Sequence, residues 1–130
     1  MKDSKDDLVK YRIFRANETF DDAKILADKF RWNSAINRLY YAAYYAVTAL
    51  LINDGINPTT HNGAKSKFSE HFILTNKVSK DLGKTYSQLF TWRQKGDYDD
   101  LFDFDEEKVR PYFEPVEELI QKVEALIARP

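Results

Sequence analysis

Apolar residues recur every three or four positions along most of the chain, which is the period of an α-helix buried on one side. In the N-terminal segment the spacing is 3-4-3, carried by Phe20, Ala23, Ala27 and Phe30. Near the C-terminus six apolar residues alternate 4-3-4-3-4, namely Val109, Phe113, Val116, Ile120, Val123 and Ile127. The pattern predicts a long first helix and a last helix that either begins near Pro111 or is kinked in its first turns, because proline disrupts a helix interior.

Capping residues set the expected limits of the helices in between. Asn33 or Ser34 is expected to cap a second helix that runs through Asn53, and Gly55 suits the left-handed residue that follows such an end. Thr60 is the expected cap of a third helix over residues 61–72.

Ser79 is the expected cap of a fourth helix that stops near Gly96. The chain has no alternating strand pattern, internal repeat or flexible linker. Short turns between amphipathic helices indicate an all-α, up-and-down bundle of four to five helices. We expect residues 1–130 to form a single domain, because that is the natural count at this length.

Composition excludes several classes of protein. The chain has 130 residues, 20 basic against 21 acidic side chains, a formal net charge of -1 and no cysteine. Disulfide scaffolds and zinc–cysteine sites are therefore excluded. The N-terminus lacks the apolar core of a signal peptide, and the most apolar stretch, Leu39–Ile52, has 14 residues against the ~20 of a membrane span. We expect a buried helix there, and a cytoplasmic protein without membrane association.

Charge is segregated although the total nearly cancels. Residues 61–84 contain five lysines, and residues 97–107, called the acidic segment below, contain seven acids and no base. The acidic segment lacks the glycine and closing glutamate of a calcium-binding loop, so we expect no metal site.

Three places carry candidate chemistry, and the first is Arg93. It continues the apolar row Leu82, Tyr86 and Leu89 by four residues, so it projects from the face that the fourth helix buries. The structural interpretation is a snorkelling arginine or an ion pair with Asp97, four residues further on. The functional interpretation is that Arg93 faces a ligand or partner.

The second place is a tyrosine-rich run in the second helix. Arg38, Tyr41 and Tyr45 fall on one helical face there. Such a stripe suits a subunit interface or a stacking surface for bases, and an ordinary core with bonded hydroxyls is the alternative.

The third place is His61, in the first turn of the third helix. The positive end of the helix dipole disfavours its protonated form, and no carboxylate lies nearby in sequence to orient the ring. The residues alone lack a nucleophile–base pair or a phosphate-binding glycine loop, and they indicate a helical interaction module without a cofactor.

These places also carry a resemblance to a known family. The motifs Arg38-Leu39-Tyr40-Tyr41-Ala42-Ala43, Thr60-His61-Asn62-Gly63 and Leu89-Phe90-Thr91-Trp92-Arg93-Gln94-Lys95-Gly96-Asp97-Tyr98-Asp99 together resemble the HEPN domain, in its small stand-alone prokaryotic branch. The resemblance covers about residues 8–128. It implies a helical bundle that forms a homodimer, with Arg93 at or near the dimer cleft, and a minimal nucleotidyltransferase as the partner of a toxin–antitoxin pair.

The resemblance also implies a ribonuclease motif that is incomplete here. Active members of the family are metal-independent ribonucleases with an arginine, a polar residue after it and a histidine four to six residues beyond. Arg93 and Gln94 match this pattern, but positions 98–100 are Tyr, Asp and Asp, and no histidine follows His71. A tyrosine, with a pKa near ~10, is a poor base at neutral pH.

The leading hypothesis is a non-catalytic HEPN-type protein that acts with a minimal nucleotidyltransferase and binds nucleotide or RNA near Arg93. The alternative is a metal-independent ribonuclease toxin that uses Arg93 with His61 or Tyr98. In related pairs the nucleotidyltransferase adds AMP to a tyrosine near the arginine, so Tyr98 is a candidate acceptor; otherwise it packs over the loop. Ligand or interface contacts are expected at Arg38, Tyr41, Tyr45, Arg93, Gln94 and Asp97.

Overall fold

The fold is all-helical. A computed structural model describes residues 2–99 and 101–129, and their α-helices are α1 (Lys2–Asp28), α2 (Trp32–Asn53), α3 (His61–Phe68), α4 (Lys80–Tyr98), α5 (Glu106–Val109) and α6 (Phe113–Ile127). A π-helical turn, Ser69–Ile73, continues α3, and a 3₁₀ turn, Arg110–Tyr112, joins α5 to α6. These residues contain no strand, and the predicted all-α bundle is confirmed.

The second helix, α2, is the centre of the bundle and packs against α1, α4 and α6. Of its 22 residues 13 are buried, which explains why its sequence is apolar almost all round rather than on one stripe. Alanines at five of the buried positions let neighbouring helices approach closely. No helix in the described residues is long and apolar enough to cross a membrane.

Local end signals place several helices as expected. Gly55 has φ +81°, and the backbone N–H of Ile56 donates to the carbonyl of Leu51 at 2.9 Å, closing the C-terminus of α2. The Thr60 hydroxyl accepts from the backbone N–H of Gly63 at 2.8 Å, and the Ser79 hydroxyl accepts from the N–H of Leu82 at 3.2 Å. Both predicted caps are confirmed.

The predicted cap of α2 is wrong. The helix begins before Asn33 and Ser34, and its capping position, Arg31, makes no side-chain cap bond. Asn33 instead accepts a hydrogen bond from the backbone N–H of Phe104 at 2.8 Å and donates to Asp103 Oδ1 at 3.2 Å. Its polar side chain therefore holds the acidic segment against the start of α2.

The fourth helix runs past its predicted end near Gly96, to Tyr98. The ring of Phe104 lies where a side chain at Gly96 would project, 3.3 Å from an ideal Cβ. Phe104 and Phe102 also pack on Trp92, with ring centroids 5.4 and 5.8 Å from it. The acidic segment therefore packs on the side of α4 that carries Trp92 and Gly96, while Gln94, Asp97 and Tyr98 stay exposed. Asp100, counted above among the acids, lies outside the described residues.

The C-terminal helical region is interrupted in its first turns. Of the two predicted arrangements, a start near Pro111 or kinked first turns, the structure has the second. The 3₁₀ turn contains Pro111, and regular α-helix resumes at Phe113. Pro115 stands in the first turn of α6, where the missing N–H has no intrahelical partner to lose.

Candidate functional site

Four tyrosines of α2 form the centre of the candidate site. Tyr40 is fully buried, and Tyr41, Tyr44 and Tyr45 are half-buried. Their rings contact one another, with Tyr40 and Tyr41 centroids 5.1 Å apart and Tyr41 and Tyr45 centroids 6.4 Å apart. Helices α3 and α4 each bring one residue of the predicted set, His61 and Arg93, to this cluster.

His61 is seated among these rings at the first residue of α3. Its Nδ1 lies 2.7 Å from the hydroxyl of Tyr40, its ring stacks on Tyr44 with centroids 4.4 Å apart, and Tyr41 meets it edge-on at 5.8 Å. No carboxylate close to His61 in the sequence could orient its ring. In the structure the hydroxyl of Tyr40, from α2, does so.

The site favours a neutral imidazole. Burial lowers the pKa of His61, and the positive charge of Arg93 lowers it further. The sequence argument expected this direction from the helix dipole, whereas desolvation and Arg93 are the causes found in the structure. Neutral His61 can accept a proton at neutral pH.

Arg93 reaches the same tyrosines from α4. Its Nη1 donates to the Tyr41 hydroxyl at 3.3 Å, and its Cζ lies 5.2 Å from the centroid of the Tyr40 ring. No carboxylate of the described residues lies within salt-bridge distance of Arg93, and its buried Nε has no hydrogen-bond partner among them. The ion pair expected with Asp97 is therefore not formed.

Arg38 brings a second guanidinium to Tyr41. Its Cζ lies 5.1 Å from the centroid of the Tyr41 ring, and its Nε and Nη2 donate to Asn37 Oδ1 at 3.1 and 2.8 Å. Arg38 likewise has no salt-bridge partner among the described residues. Two arginines thus converge on one tyrosine without a described carboxylate to neutralise them.

Tyr45 extends the site toward α1, through contacts that sequence reasoning missed. The Cζ atoms of Arg12 and Arg15 lie 5.8 and 5.2 Å from its ring centroid, and Arg15 Nη2 donates to its hydroxyl at 3.5 Å. Arg12 also donates to the Thr48 hydroxyl at 3.1 Å, while Arg15 pairs with Glu18. The spacing of the two arginines, three residues apart, places them on one face of α1 but does not reveal which helix that face meets.

Burial keeps the innermost hydroxyls protonated. It raises the pKa of Tyr40 to about 12 and raises the pKa of Tyr86, from α4, well above its usual value. The Tyr40 and Tyr86 rings lie parallel with centroids 6.0 Å apart. These phenols can therefore donate hydrogen bonds to neighbours but do not act as bases near neutral pH.

Three further predicted residues, Gln94, Asp97 and Tyr98, are exposed, and no hydrogen bond between described residues joins their side chains to this cluster. Tyr98 is 83% exposed and does not pack over the loop. Five helical residues after Arg93, it points about 140° away around the helix axis. The structure thus brings His61 and not Tyr98 to the neighbours of Arg93.

The chemistry of the cluster suits an anion. Guanidinium groups with unused donors, hydroxyl donors and a neutral imidazole match the oxygens of a phosphate group. The described residues contain no group of three or more carboxylates or histidines placed to hold a metal ion.

The structure defines an all-helical domain in which Arg38, Arg93 and His61 meet the tyrosines of α2. The chain belongs to the HEPN domain family, whose sequence pattern matches residues 9–126. It is 41% identical over 123 residues to a "UPF0332 protein" of Thermotoga maritima, covering 95% of this chain and 93% of that protein. It is also 30% identical over 96 residues to "Putative toxin MJ0142" of Methanocaldococcus jannaschii, covering 74% of this chain and 65% of that protein.

Proposed function

We propose that the chain is a toxin-like HEPN protein that binds the phosphate groups of RNA or a nucleotide at Arg93 and Arg38 and does not cleave RNA. The single observation that supports it best is the set of free guanidinium donors of Arg93. Two Methanocaldococcus jannaschii relatives bear toxin names, which supports the toxin-like class.

The energetics of Arg93 favour an external ligand. The Nε of Arg93 is buried without a partner, which is destabilising by about 1–3 kcal/mol, and a shift of the guanidinium toward a bound phosphate would relieve this cost. Arg93 also presents the planar fork of donors that binds phosphate in bidentate fashion, and Arg38 lies beside the same tyrosine ring. The hydroxyl groups of Tyr41 and Tyr45 are further hydrogen-bond donors for the phosphates of an RNA backbone.

Absence of cleavage is proposed because the family's catalytic pattern is incomplete. The histidine expected after Arg93 is missing from the sequence, and Tyr98 in its place projects from another face of α4. The hydroxyl of Tyr40 does lie in the site, but its pKa is raised to about 12, so it stays protonated at neutral pH and does not act as a base.

A second candidate function, a metal-independent ribonuclease, is favoured by one observation. His61 and Arg93 both contact Tyr40, although they lie on different helices. A neutral His61 could take the proton of a ribose 2′-hydroxyl as its oxygen attacks phosphorus and the 5′-oxygen leaves with a proton from water, while Arg93 stabilises the negative charge on the non-bridging phosphate oxygens. This arrangement would replace the missing histidine through space.

The test is RNA binding and cleavage by matched variants. We expect the protein to bind a fluorescent 20-nucleotide RNA in fluorescence anisotropy, and Arg93→Ala to weaken binding at least tenfold. Arg110→Ala is the control, because Arg110 pairs with Glu106 away from the site. Wild-type protein that binds neither RNA nor ATP would contradict the proposal.

Cleavage decides between the two functions. We expect RNA incubated with the protein and EDTA to remain intact on a denaturing gel. Cleavage that both Arg93→Ala and His61→Ala abolish would establish the ribonuclease instead. Cleavage that neither variant changes would point to a contaminant and leave the binding assay as the measure of the proposal.

The partner chains are also proposals. We propose that the chain forms a homodimer with the exposed edges of Tyr41 and Tyr45 at or near the contact, and that it acts with a minimal nucleotidyltransferase. Support comes from family membership and from the half-buried tyrosines, a residue type enriched in interfaces. Sedimentation equilibrium of the protein alone, and its co-purification with a nucleotidyltransferase encoded beside it, test the two parts separately.

A further inference from the structure

A groove separate from the arginine–tyrosine cluster lies between α4 and the helical stretch formed by α3 and the π turn. Its volume is about 1210 Å³. Buried Phe68 and Tyr86 line its floor, and Ile73 and Leu74 line its side. Leu74 is 73% exposed at the edge, so the groove offers apolar surface to a partner.

The charge around this α3–α4 groove is positive. Lys65, Lys80 and Lys84 line it, and none of them forms a salt bridge with a described residue. The acid in the lining, Glu70, already lies 3.6 Å from Lys67. An occupant with negative charge and apolar side chains would match both properties.

The acidic segment of the same chain has these properties. Tyr98 is 83% exposed and Leu101 is 94% exposed, so the segment presents two large side chains with apolar surface to solvent. Asp97, Asp99 and Asp103 flank them and form no salt bridge with a described residue.

The protruding side chains are carried on an anchored backbone. Phe102 and Phe104 pack on Trp92, and the Phe104 N–H is held by Asn33 at 2.8 Å. Leu101 therefore lies next to a part of the loop that packing of Phe102 and Phe104 already orders. Less conformational entropy is then lost when Leu101 binds a partner.

We propose that the acidic segment of one copy binds in the α3–α4 groove of a second copy. The segment does not reach the whole groove of its own chain, because Lys80 and Tyr98 lie 18 residues apart on α4, about 27 Å along its axis. Two antiparallel α4 helices place the lysines of one beside the acids of the other, so the contact can close reciprocally around a two-fold axis. This contact does not involve Arg93 and goes beyond the proposed function.

A second copy fits the groove better than RNA does. Phosphates would match the three lysines, but they leave the apolar surface of Ile73 and Leu74 without a counterpart. Tyr98 and Leu101 supply that counterpart, and the aspartates beside them supply the charge.

The test is sedimentation velocity of the full chain over a range of concentrations. We expect the wild-type mass to rise with concentration and to fall when NaCl increases from 50 to 500 mM, because salt screens the pairs. Lys80→Glu/Lys84→Glu and Tyr98→Ser/Leu101→Ser should each weaken this association at least tenfold. Lys10→Glu/Lys29→Glu changes the charge equally on an exposed residue of α1 and on the exposed residue that follows its end, and it should have no effect.

Mixing identifies the contact. The groove variant and the segment variant should each lose this salt-sensitive association, and mixing them should restore it, because one keeps the acidic segment and the other keeps the groove. The homodimer proposed at Tyr41 and Tyr45 does not involve these residues and should persist in both variants. Failure of the mixture to associate, or a wild-type mass that salt and both variants leave unchanged, would overturn the proposal. Loss of RNA binding in Lys80→Glu/Lys84→Glu with unchanged sedimentation would assign the groove to RNA and also overturn it. Arg93→Ala should sediment as wild type even if it loses RNA, so the two proposals can fail independently.

Discussion

The hydroxyl of Tyr40 lies 2.7 Å from Nδ1 of His61, and the guanidinium of Arg93 lies over the ring of the same tyrosine, 5.2 Å from its centroid. One fully buried side chain of α2 thus fixes residues from α3 and α4. Because α2 is the central helix of the bundle, the site depends on the rigid core rather than on a loop.

Tyr40→Phe should lower the free energy of unfolding by about 0.5–1.5 kcal/mol, because one hydrogen bond to a partly buried ring nitrogen is lost while the packing remains. Urea unfolding followed by circular dichroism measures the change. Tyr11→Phe is the control, because Tyr11 is exposed on α1. Equal effects of the two variants would contradict a stabilising role for the Tyr40 hydroxyl.

Stability should decrease on acidification through His61. Its pKa is lowered from 6.5 in the folded protein, by burial and by Arg93, so below about pH 6.5 the unfolded chain binds the proton more readily. The free energy of unfolding should therefore fall as the pH drops from 7.5 to 5.5. His61→Asn should reduce this dependence in urea titrations, whereas His71→Asn, which changes the other histidine, should retain it.

Two buried threonines should respond in opposite directions to replacement by valine. Thr19 has a buried hydroxyl without a partner in the described residues, so Thr19→Val should raise the free energy of unfolding by up to about 1 kcal/mol. The Thr48 hydroxyl accepts from Arg12 and donates to the Tyr44 carbonyl at 2.9 Å, so Thr48→Val should lower it by about 1–3 kcal/mol. Thermal and urea unfolding of the pair measure both, and changes of the same sign would contradict the assignment.

Asn33→Ala should destabilise the protein by about 1–3 kcal/mol, because the N–H of buried Phe104 loses its acceptor. It should also speed amide exchange at Phe104, measured by hydrogen–deuterium exchange. Asn57→Ala, at an exposed position in the turn after α2, is the control. Unchanged exchange at Phe104 in Asn33→Ala would show that the side chain does not hold the acidic segment.

Sequence reasoning succeeded where the physical signal is local. Thr60, Ser79 and Gly55 act on backbone groups within a few residues, so their roles follow from residue type and position. Asn33 has the same capping chemistry, but its partner is Phe104, 71 residues further on. Rules based on neighbouring residues could not predict that Asn33 would bond to Phe104 instead of capping α2.

The candidate site shows the same difference between signals within a few residues and contacts between distant residues. His61, Arg93 and Arg38 were each singled out by type and helical position, and the direction of the His61 pKa shift was expected. Pairing of Arg93 with Asp97 was one of the alternatives that their four-residue spacing allowed, and it is not formed. The contacts of Arg12 and Arg15 with Tyr45 could not be anticipated, because they depend on the rotation of α1 against α2.

The sequence by itself determined the helices, most of their ends, the all-α bundle and the family, because these follow from periodicity, capping chemistry and the order and spacing of short motifs. Tertiary structure alone decided that His61 and not Tyr98 joins Arg93, and that Tyr40 links them. Their separations along the chain are 21 residues for Tyr40 and His61 and 52 for Tyr41 and Arg93. Contacts of that range depend on how α2, α3 and α4 pack together, and no local pattern encodes that packing.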